Sequence, residues 1–137
     1  MLYLIIFVVT LIWGLNGIID RQALSTGHPI EVNFVTTLTM IIVVMIYFTT
    51  AKLSGIPFHF YKNTVVFAIL NGILIPTAYV IFLFALSRAG LTAVVAITST
   101  YPIITFILAV MLLNEPVSVN KVLGIILVVA GLLIFIK

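Results

Sequence analysis

Long apolar segments make up most of this chain, and short polar stretches separate them. Five segments are predicted, at about 2–19, 30–51, 63–87, 91–113 and 119–136. Each is close to the roughly 20 mainly apolar residues that a helix needs to cross a bilayer. Apolar residues are continuous rather than alternating with polar ones, which favours helices over the strands of a membrane barrel. We therefore predict an all-α polytopic membrane protein with five transmembrane helices, forming a single membrane domain over residues 1–137.

The polar stretches predict how the helices are joined. The first twenty residues lack a basic start and an Ala-x-Ala cleavage site, so they are interpreted as a helix and not as a signal peptide. The third and fourth segments are separated by Arg88-Ala89-Gly90 alone, which predicts an antiparallel hairpin. Asn114-Glu115-Pro116 ends the fourth segment, and Ser118 is placed to cap the fifth.

Composition excludes most other classes of protein. The chain is 64% hydrophobic and 7% charged, whereas soluble domains carry about 25% charged residues. It has no cysteine, and its two histidines and three acids are well separated, so we predict no metal site and no cofactor. The net charge of +3 is scattered, which argues against a nucleic-acid partner. The sequence has no Gly-rich phosphate loop and no Ser, His and acid arrangement in the apolar segments, so we predict that it is not an enzyme.

The basic residues are divided equally between the two sides of the membrane. With five helices, one side holds Lys52, Lys62 and Lys121, and the other holds Arg21, Arg88 and Lys137. The positive-inside rule therefore hardly selects an orientation. Either the order of translation or a partner decides the topology, or chains insert both ways. In the second case, two inverted copies would form a transporter with its site near the membrane midplane.

The fourth segment has a polar centre that a simple membrane anchor does not need. Thr98, Tyr101 and Thr105 share one helix face. Pro102 removes a backbone donor and frees the carbonyl group near Thr98. One interpretation is a stripe that faces a substrate, with a hinge at Pro102. The alternative is that the hydroxyl groups bond their own backbone at a structural kink.

The first segment carries a second polar face. Trp13, Asn16 and Asp20 lie on it, and Gly14 leaves the backbone bare beside the Trp13 ring. The face is interpreted as part of a substrate cavity, or alternatively as a tight helix crossing in which Asn16 bonds a neighbouring helix.

The third and fifth segments add three further predictions. Asn71 and Tyr79 are candidates for the cavity, and Pro76 is a candidate hinge because it opens the backbone near Gly72. Gly124 and Gly131 lie seven residues apart on one face of the fifth segment. Small residues let helix backbones approach closely, so this face is predicted to pack within or between protomers.

Asp20, His28 and Glu31 surround one loop and are the titrating groups nearest to a possible pore mouth. They could couple transport to protons. The alternative, which the position of the charges at helix ends favours, is an ordinary solvated loop.

Several segments together resemble the drug/metabolite transporter superfamily, of the EamA type. The resemblance lies in Trp13-Gly14-Leu15-Asn16, in 85–90, in 101–105, in 112–115 and in 124–131. Most members of that family have ten helices arranged as two inverted halves. This chain resembles one half, like the five-helix bacterial and archaeal members that are expected to pair as dimers.

The resemblance implies a multi-pass protein of a prokaryotic plasma membrane. It implies a subunit that moves a small polar or amphipathic metabolite, such as an amino acid, by alternating access as an antiparallel homodimer. Thr36 stands where family members often carry an arginine, and the middle of the first helix lacks the glutamate of the related four-helix multidrug transporters. The alternatives are a lipid or lipid-linked-sugar flippase subunit and a non-transporting membrane assembly partner.

Overall fold

The computed structural model describes residues 1–136, with the backbone alone at Ile136, and contains helices and connecting loops over that range. The helices are α1 (Leu2–Ala23), α2 (Pro29–Leu53), α3 (Lys62–Arg88), α4 (Leu91–Thr98), α5 (Tyr101–Leu113) and α6 (Val119–Ile136). The prediction of an all-α polytopic membrane protein is confirmed. The predicted fourth helix is divided into α4 and α5. Lys137, which enters the charge count above, lies outside the described residues.

The helices have the length and composition that crossing a membrane requires. α1, α2, α3 and the combined range Leu91–Leu113 have 22 to 27 residues and a mean hydropathy of 2.0 to 2.3. At a rise of 1.5 Å per residue, the 22 residues of α1 extend about 33 Å, slightly more than the roughly 30 Å hydrocarbon core. The 18 residues of α6 extend about 27 Å.

Side-chain exposure is also that of a membrane protein. Among the described residues, the buried apolar side chains are those of Leu83, Leu86, Val94 and Pro29. Most large apolar side chains, including Trp13 and Tyr101, are exposed. Such an apolar surface is stable in contact with lipid, provided that the backbone polar groups are hydrogen-bonded within the chain. Helices meet that requirement locally.

Two helix ends are set by identifiable local interactions. At the start of α2, the His28 ring Nδ1 accepts from the Ile30 N–H at 3.3 Å, and Glu31 Oε2 accepts from the His28 N–H at 2.9 Å. This reciprocal capping box is followed by Pro29 as the first helical residue. At the end of α5, Asn114 takes the left-handed conformation, with φ 53° and ψ 35°, which stops the helix.

The start of α6 confirms the predicted cap. Ser118 Oγ accepts from the Lys121 backbone N–H at 3.3 Å. The Lys121 ammonium group then reaches Glu115 Oε2 at 3.1 Å and the Pro116 carbonyl oxygen at 3.3 Å. The loop between α5 and α6 is therefore held by a cap and by an exposed ion pair.

The chain forms two compact units, one with α1 to α3 and one with α4 to α6. Within the first, α3 packs against α2 and α1; within the second, α4 packs against α6. That the whole of 1–137 acts as one membrane domain stays a prediction.

Candidate functional site

One carboxylate in the first unit is shielded and hydrogen-bonded from two sides. The Asp20 side chain, three residues before the end of α1, is 3% exposed. Asn16 Nδ2 donates to Asp20 Oδ2 at 3.0 Å, and the Tyr79 hydroxyl of α3 donates to Asp20 Oδ1 at 2.5 Å. The Tyr79 bond therefore joins α1 to α3, and both bonds are charge-assisted, which makes them stronger than bonds between neutral groups.

Helix geometry explains why these three residues meet. Asn16 and Asp20 are four residues apart, so their side chains are neighbours on one face of α1. Tyr79 lies 59 residues later along the chain and reaches Asp20 because α3 packs against α1. The Tyr79 ring also stacks on Phe82, with centroids 6.5 Å apart and planes 14° from parallel. This stacking holds the ring while its hydroxyl faces α1.

The cluster lies at the edge of a groove among α1, α2 and α3. The groove has a volume of about 400 Å³, within the range of about 300–1,000 Å³ that is usual for small-molecule sites. Its lining residues are Asn16, Ile19, Asp20, Val35, Thr36, Thr39, Met40, Val43, Val44 and Tyr79. Polar groups are contributed by all three helices, while the apolar residues come mainly from α2. The groove is open rather than enclosed, since Val35, Met40 and Val44 are 49% to 61% exposed, and its lining combines polar and apolar groups.

The other charged groups of this unit have structural partners. His28 and Glu31 form the capping box of α2, and the His28 ring contacts Phe84 edge-on at 5.6 Å. The Arg21 guanidinium donates to the Leu86 carbonyl oxygen at 2.5 Å. Asp20 thus differs from His28 and Glu31, with which it was grouped as a loop charge, because it is shielded within the helices.

The cavity residues predicted in the first unit have different environments. Asn16 and Tyr79 lie in the cluster and line the groove. Trp13 is 66% exposed, and Asn71 is also exposed. Pro76 lies inside α3, which continues through it without a break. The roles of Trp13, Asn71 and Pro76 stay predictions.

In the second unit, the polar centre of the fourth segment marks a break in the helix. α4 ends at Thr98 and α5 begins at Tyr101. The hydroxyl groups of Thr98, Ser99 and Thr100 donate to carbonyl oxygens three or four residues back, at 2.6 to 3.1 Å. Pro102 has no backbone N–H to give to the Thr98 carbonyl oxygen. The local bonding anticipated as the alternative is therefore present at this break.

Of the other two stripe residues, Thr105 also bonds its own helix backbone, whereas Tyr101 does not. The Thr105 hydroxyl donates to the Tyr101 carbonyl oxygen at 3.2 Å. The Tyr101 side chain is 55% exposed, and its hydroxyl makes no hydrogen bond to residues 1–136. Tyr101 is thus the one member of the stripe with an unused hydroxyl in this part of the chain, and its role in a cavity stays a prediction, as does that of Thr98 and Thr105.

The three glycines predicted to pack helices are open. A Cβ atom built at Gly14, Gly124 or Gly131 meets no atom of its own unit within 4 Å, apart from its own helix. Packing against these faces therefore has to come from outside the unit, and the predicted role between protomers stays a prediction.

Sequence reasoning did not select Asp20 and Thr36 as site residues. Asp20 was placed on the face of Trp13 and Asn16 and considered for proton coupling, but the favoured interpretation was a charge of a solvated loop. The signal for it was its spacing of four from Asn16, which places an amide donor next to a carboxylate. Thr36 was noted for replacing a family arginine, and it lines the groove. Over the described residues, no group of three His, Cys, Asp or Glu side chains could hold a metal ion.

The fold and the site together define a class: a multi-pass helical membrane protein with a polar groove among its first three helices. A family model confirms and narrows this class, because the EamA-like transporter family matches residues 1–137. The chain belongs to this family and is a membrane transporter of the drug/metabolite superfamily. Comparisons with curated proteins and with solved structures gave no match.

Proposed function

We propose that the protein is a secondary transporter subunit for a small polar or amphipathic metabolite, such as an amino acid or related compound. The observation that carries the proposal is the groove of about 400 Å³ whose polar edge is Asn16, Asp20 and Tyr79. Polar side chains within a membrane are costly unless they are paired or line a wet cavity. In a transporter family, a shielded polar cluster beside a groove of ligand size is the natural substrate site.

We further propose that two inverted copies form the working transporter in a prokaryotic plasma membrane. The equal division of basic residues between the two sides supports insertion in both orientations. The open glycine faces of α1 and α6 would be covered in such a dimer. Alternating access would use the break between α4 and α5 at Pro102, and α3 at Pro76, as points of bending.

Uptake into sealed vesicles tests the transport function. The purified full chain in liposomes is expected to take up at least one member of a metabolite panel, with and without an imposed proton gradient. Asn16→Ala should reduce uptake because it removes a donor to Asp20 and a polar group of the groove. Asn63→Ala is the matched control, because Asn63 is an exposed amide in the first turn of α3 and does not line the groove.

Absence of flux for the whole panel would contradict the transport proposal. Movement of labelled lipid headgroups without solute flux would instead identify a flippase. A stable heteromeric partner without either flux would identify an assembly protein.

Topology reporters test the inverted dimer separately. C-terminal fusions with one reporter active inside the cell and one active outside should both give signal. If every C-terminus lies on one side, the inverted homodimer is wrong, whatever the vesicles transport.

A further inference from the structure

Within residues 1–136, Asp20 has hydrogen-bond donors but no cationic side chain as partner. The ion pair seen within residues 1–136 joins Lys121 and Glu115, and no cationic side chain of that range lies within salt-bridge distance of Asp20. A shielded carboxylate in a membrane needs compensation for its charge. Asn16 and Tyr79 supply part of it, one donor to each oxygen. A carboxylate has about four acceptor positions, so about two remain for another donor.

Asp20 is among the residues that line the groove, although its side chain is 3% exposed. The polar lining residues are Asp20, Asn16 and Tyr79, with the hydroxyl groups of Thr36 and Thr39 from α2, and the apolar Ile19 and Val35 lie next to them. Farther along α2 the lining consists of Met40, Val43 and Val44. This lining matches a ligand with a donor-rich cation at one end and a short hydrocarbon part at the other.

No basic side chain that lines the groove neutralises the negative charge of Asp20. From α3 the titratable side chain that faces Asp20 is Tyr79, which donates to it. The residues of α2 that line the groove are all neutral. Glu31 of α2 is not among them, and its carboxylate accepts from the His28 backbone N–H. On α1 the guanidinium of Arg21 donates to the Leu86 carbonyl oxygen. The groove itself is therefore lined by one acid and no basic residue.

We propose that Asp20 anchors the ammonium group of a small amphipathic amine, whose hydrocarbon part lies against the Met40 and Val43 side of α2. This inference rests on the proposed transport function and names the substrate class of the same groove. The ammonium would donate to the two Asp20 oxygens, and the Tyr79 and Asn16 donors would fix the orientation of the carboxylate. A neutral alcohol of the same shape could donate one hydrogen bond to the carboxylate but would lack the ion pair between ammonium and carboxylate.

Equilibrium binding to the purified full chain in detergent tests the proposal without requiring flux. The probe is tritiated phenethylamine, and the competitors are unlabelled phenethylamine and neutral 2-phenylethanol. The amine should compete and the alcohol should not. Asp20→Asn keeps the size of the side chain but removes its charge, so it should weaken amine binding about ten- to a hundredfold. Asp20→Glu should restore part of the affinity.

Two further variants keep the result interpretable. Glu115→Gln removes an exposed acid of the α5–α6 loop and should leave amine binding unchanged. Val43→Trp places a large ring in the groove while leaving Asp20 intact, and it should also abolish binding. Size-exclusion elution at the wild-type position shows that each variant is folded. If Asp20→Asn fails this check, the proposal is tested by Val43→Trp and by the failure of the alcohol to compete with the amine.

Amine binding that is equal in wild type, Asp20→Asn and Val43→Trp, or absent in wild type, overturns the proposal. A second result also overturns it: proton-driven uptake of a neutral substrate that depends on Asp20, with no binding of any amine. Asp20 would then bind a proton and not an ammonium group. Vesicle flux of the metabolite panel is measured in parallel. Flux without amine binding rejects the ammonium site alone, whereas amine binding without any flux rejects the transport function alone.

Discussion

Replacing Tyr79 by phenylalanine tests the joint between α1 and α3 most directly. The change removes the hydroxyl that donates to Asp20 Oδ1 and leaves the ring, so the stacking on Phe82 is retained. Asp20 then keeps Asn16 as its one side-chain donor. The expected loss is therefore that of one charge-assisted hydrogen bond to a shielded carboxylate, together with the interaction of the hydroxyl with Thr36, without a cavity.

Two known scales bracket the magnitude of this loss. Hydrogen bonds to charged groups contribute about 1.5–3 kcal/mol in proteins, whereas side-chain bonds between membrane helices average about 0.6 and reach about 1.7 kcal/mol. Asp20 is 3% exposed, so the bond is shielded from water and should lie at the upper end of the membrane scale, where it overlaps the lower end of the other. We expect Tyr79→Phe to lower the free energy of unfolding by about 1.5 kcal/mol, roughly a tenfold change in the unfolding equilibrium constant.

Reversible unfolding in mixed micelles, followed by fluorescence, measures this change. Trp13 is the one tryptophan of the sequence and lies on α1, so its emission reports on the first unit. Tyr101→Phe is the matched control, because the Tyr101 hydroxyl bonds no described residue and the side chain is 55% exposed. Its effect on stability should remain within about 0.5 kcal/mol.

A double-mutant cycle with Asp20→Asn separates the bond from other effects. In the Asp20→Asn background, the acceptor is neutral and Tyr79→Phe should cost less than in wild type. The two changes should therefore be non-additive by at least about 0.5 kcal/mol. Additive effects, or a Tyr79→Phe loss no larger than that of Tyr101→Phe, would refute the reasoning.

Three other predictions concern the second unit. Tyr101→Phe should lower vesicle uptake at unchanged stability if its hydroxyl faces the substrate; normal uptake would remove Tyr101 from the site. Pro102→Ala adds a backbone N–H that can reach the Thr98 carbonyl oxygen, so it should join α4 to α5 and slow turnover. Circular dichroism should show the gained helix, and unchanged turnover would argue against the hinge. Asn114→Ala should destabilise the protein by about 1 kcal/mol because of its φ of 53°, whereas Asn114→Gly should be tolerated in the same unfolding assay.

The pattern of apolar residues was sufficient to predict the class, a helical membrane protein, and the presence of the helices. This follows because lipid imposes one rule, that backbone groups be bonded within the segment, and a helix satisfies it using local sequence alone. The Ser118 cap was predictable for the same reason, since capping depends on a few neighbouring residues. The break between α4 and α5 was anticipated from Pro102, but not its extent, which depends on where Ser99 and Thr100 bond.

The candidate site was predictable in part. Asn16 and Tyr79 were selected separately, each as a polar residue in an apolar helix. Their connection through Asp20 was not predicted, because a charge three residues from a helix end has the same sequence signature whether it faces water or protein. The role of α2 was missed as well, since Thr36 and Thr39 are ordinary residues in a helix whose apolar residues occur all round.

By itself, the sequence determined that this chain consists of membrane helices of the EamA type, with polar faces on three of them. Continuous apolar segments and local helix signals carry that information within about twenty residues each. Only the tertiary structure decided that Asp20 is shielded and lies between Asn16 and Tyr79, beside a groove walled by α2. The physical reason is that the packing of α3 on α1 and α2 joins residues 59 positions apart, and no local pattern specifies such a contact.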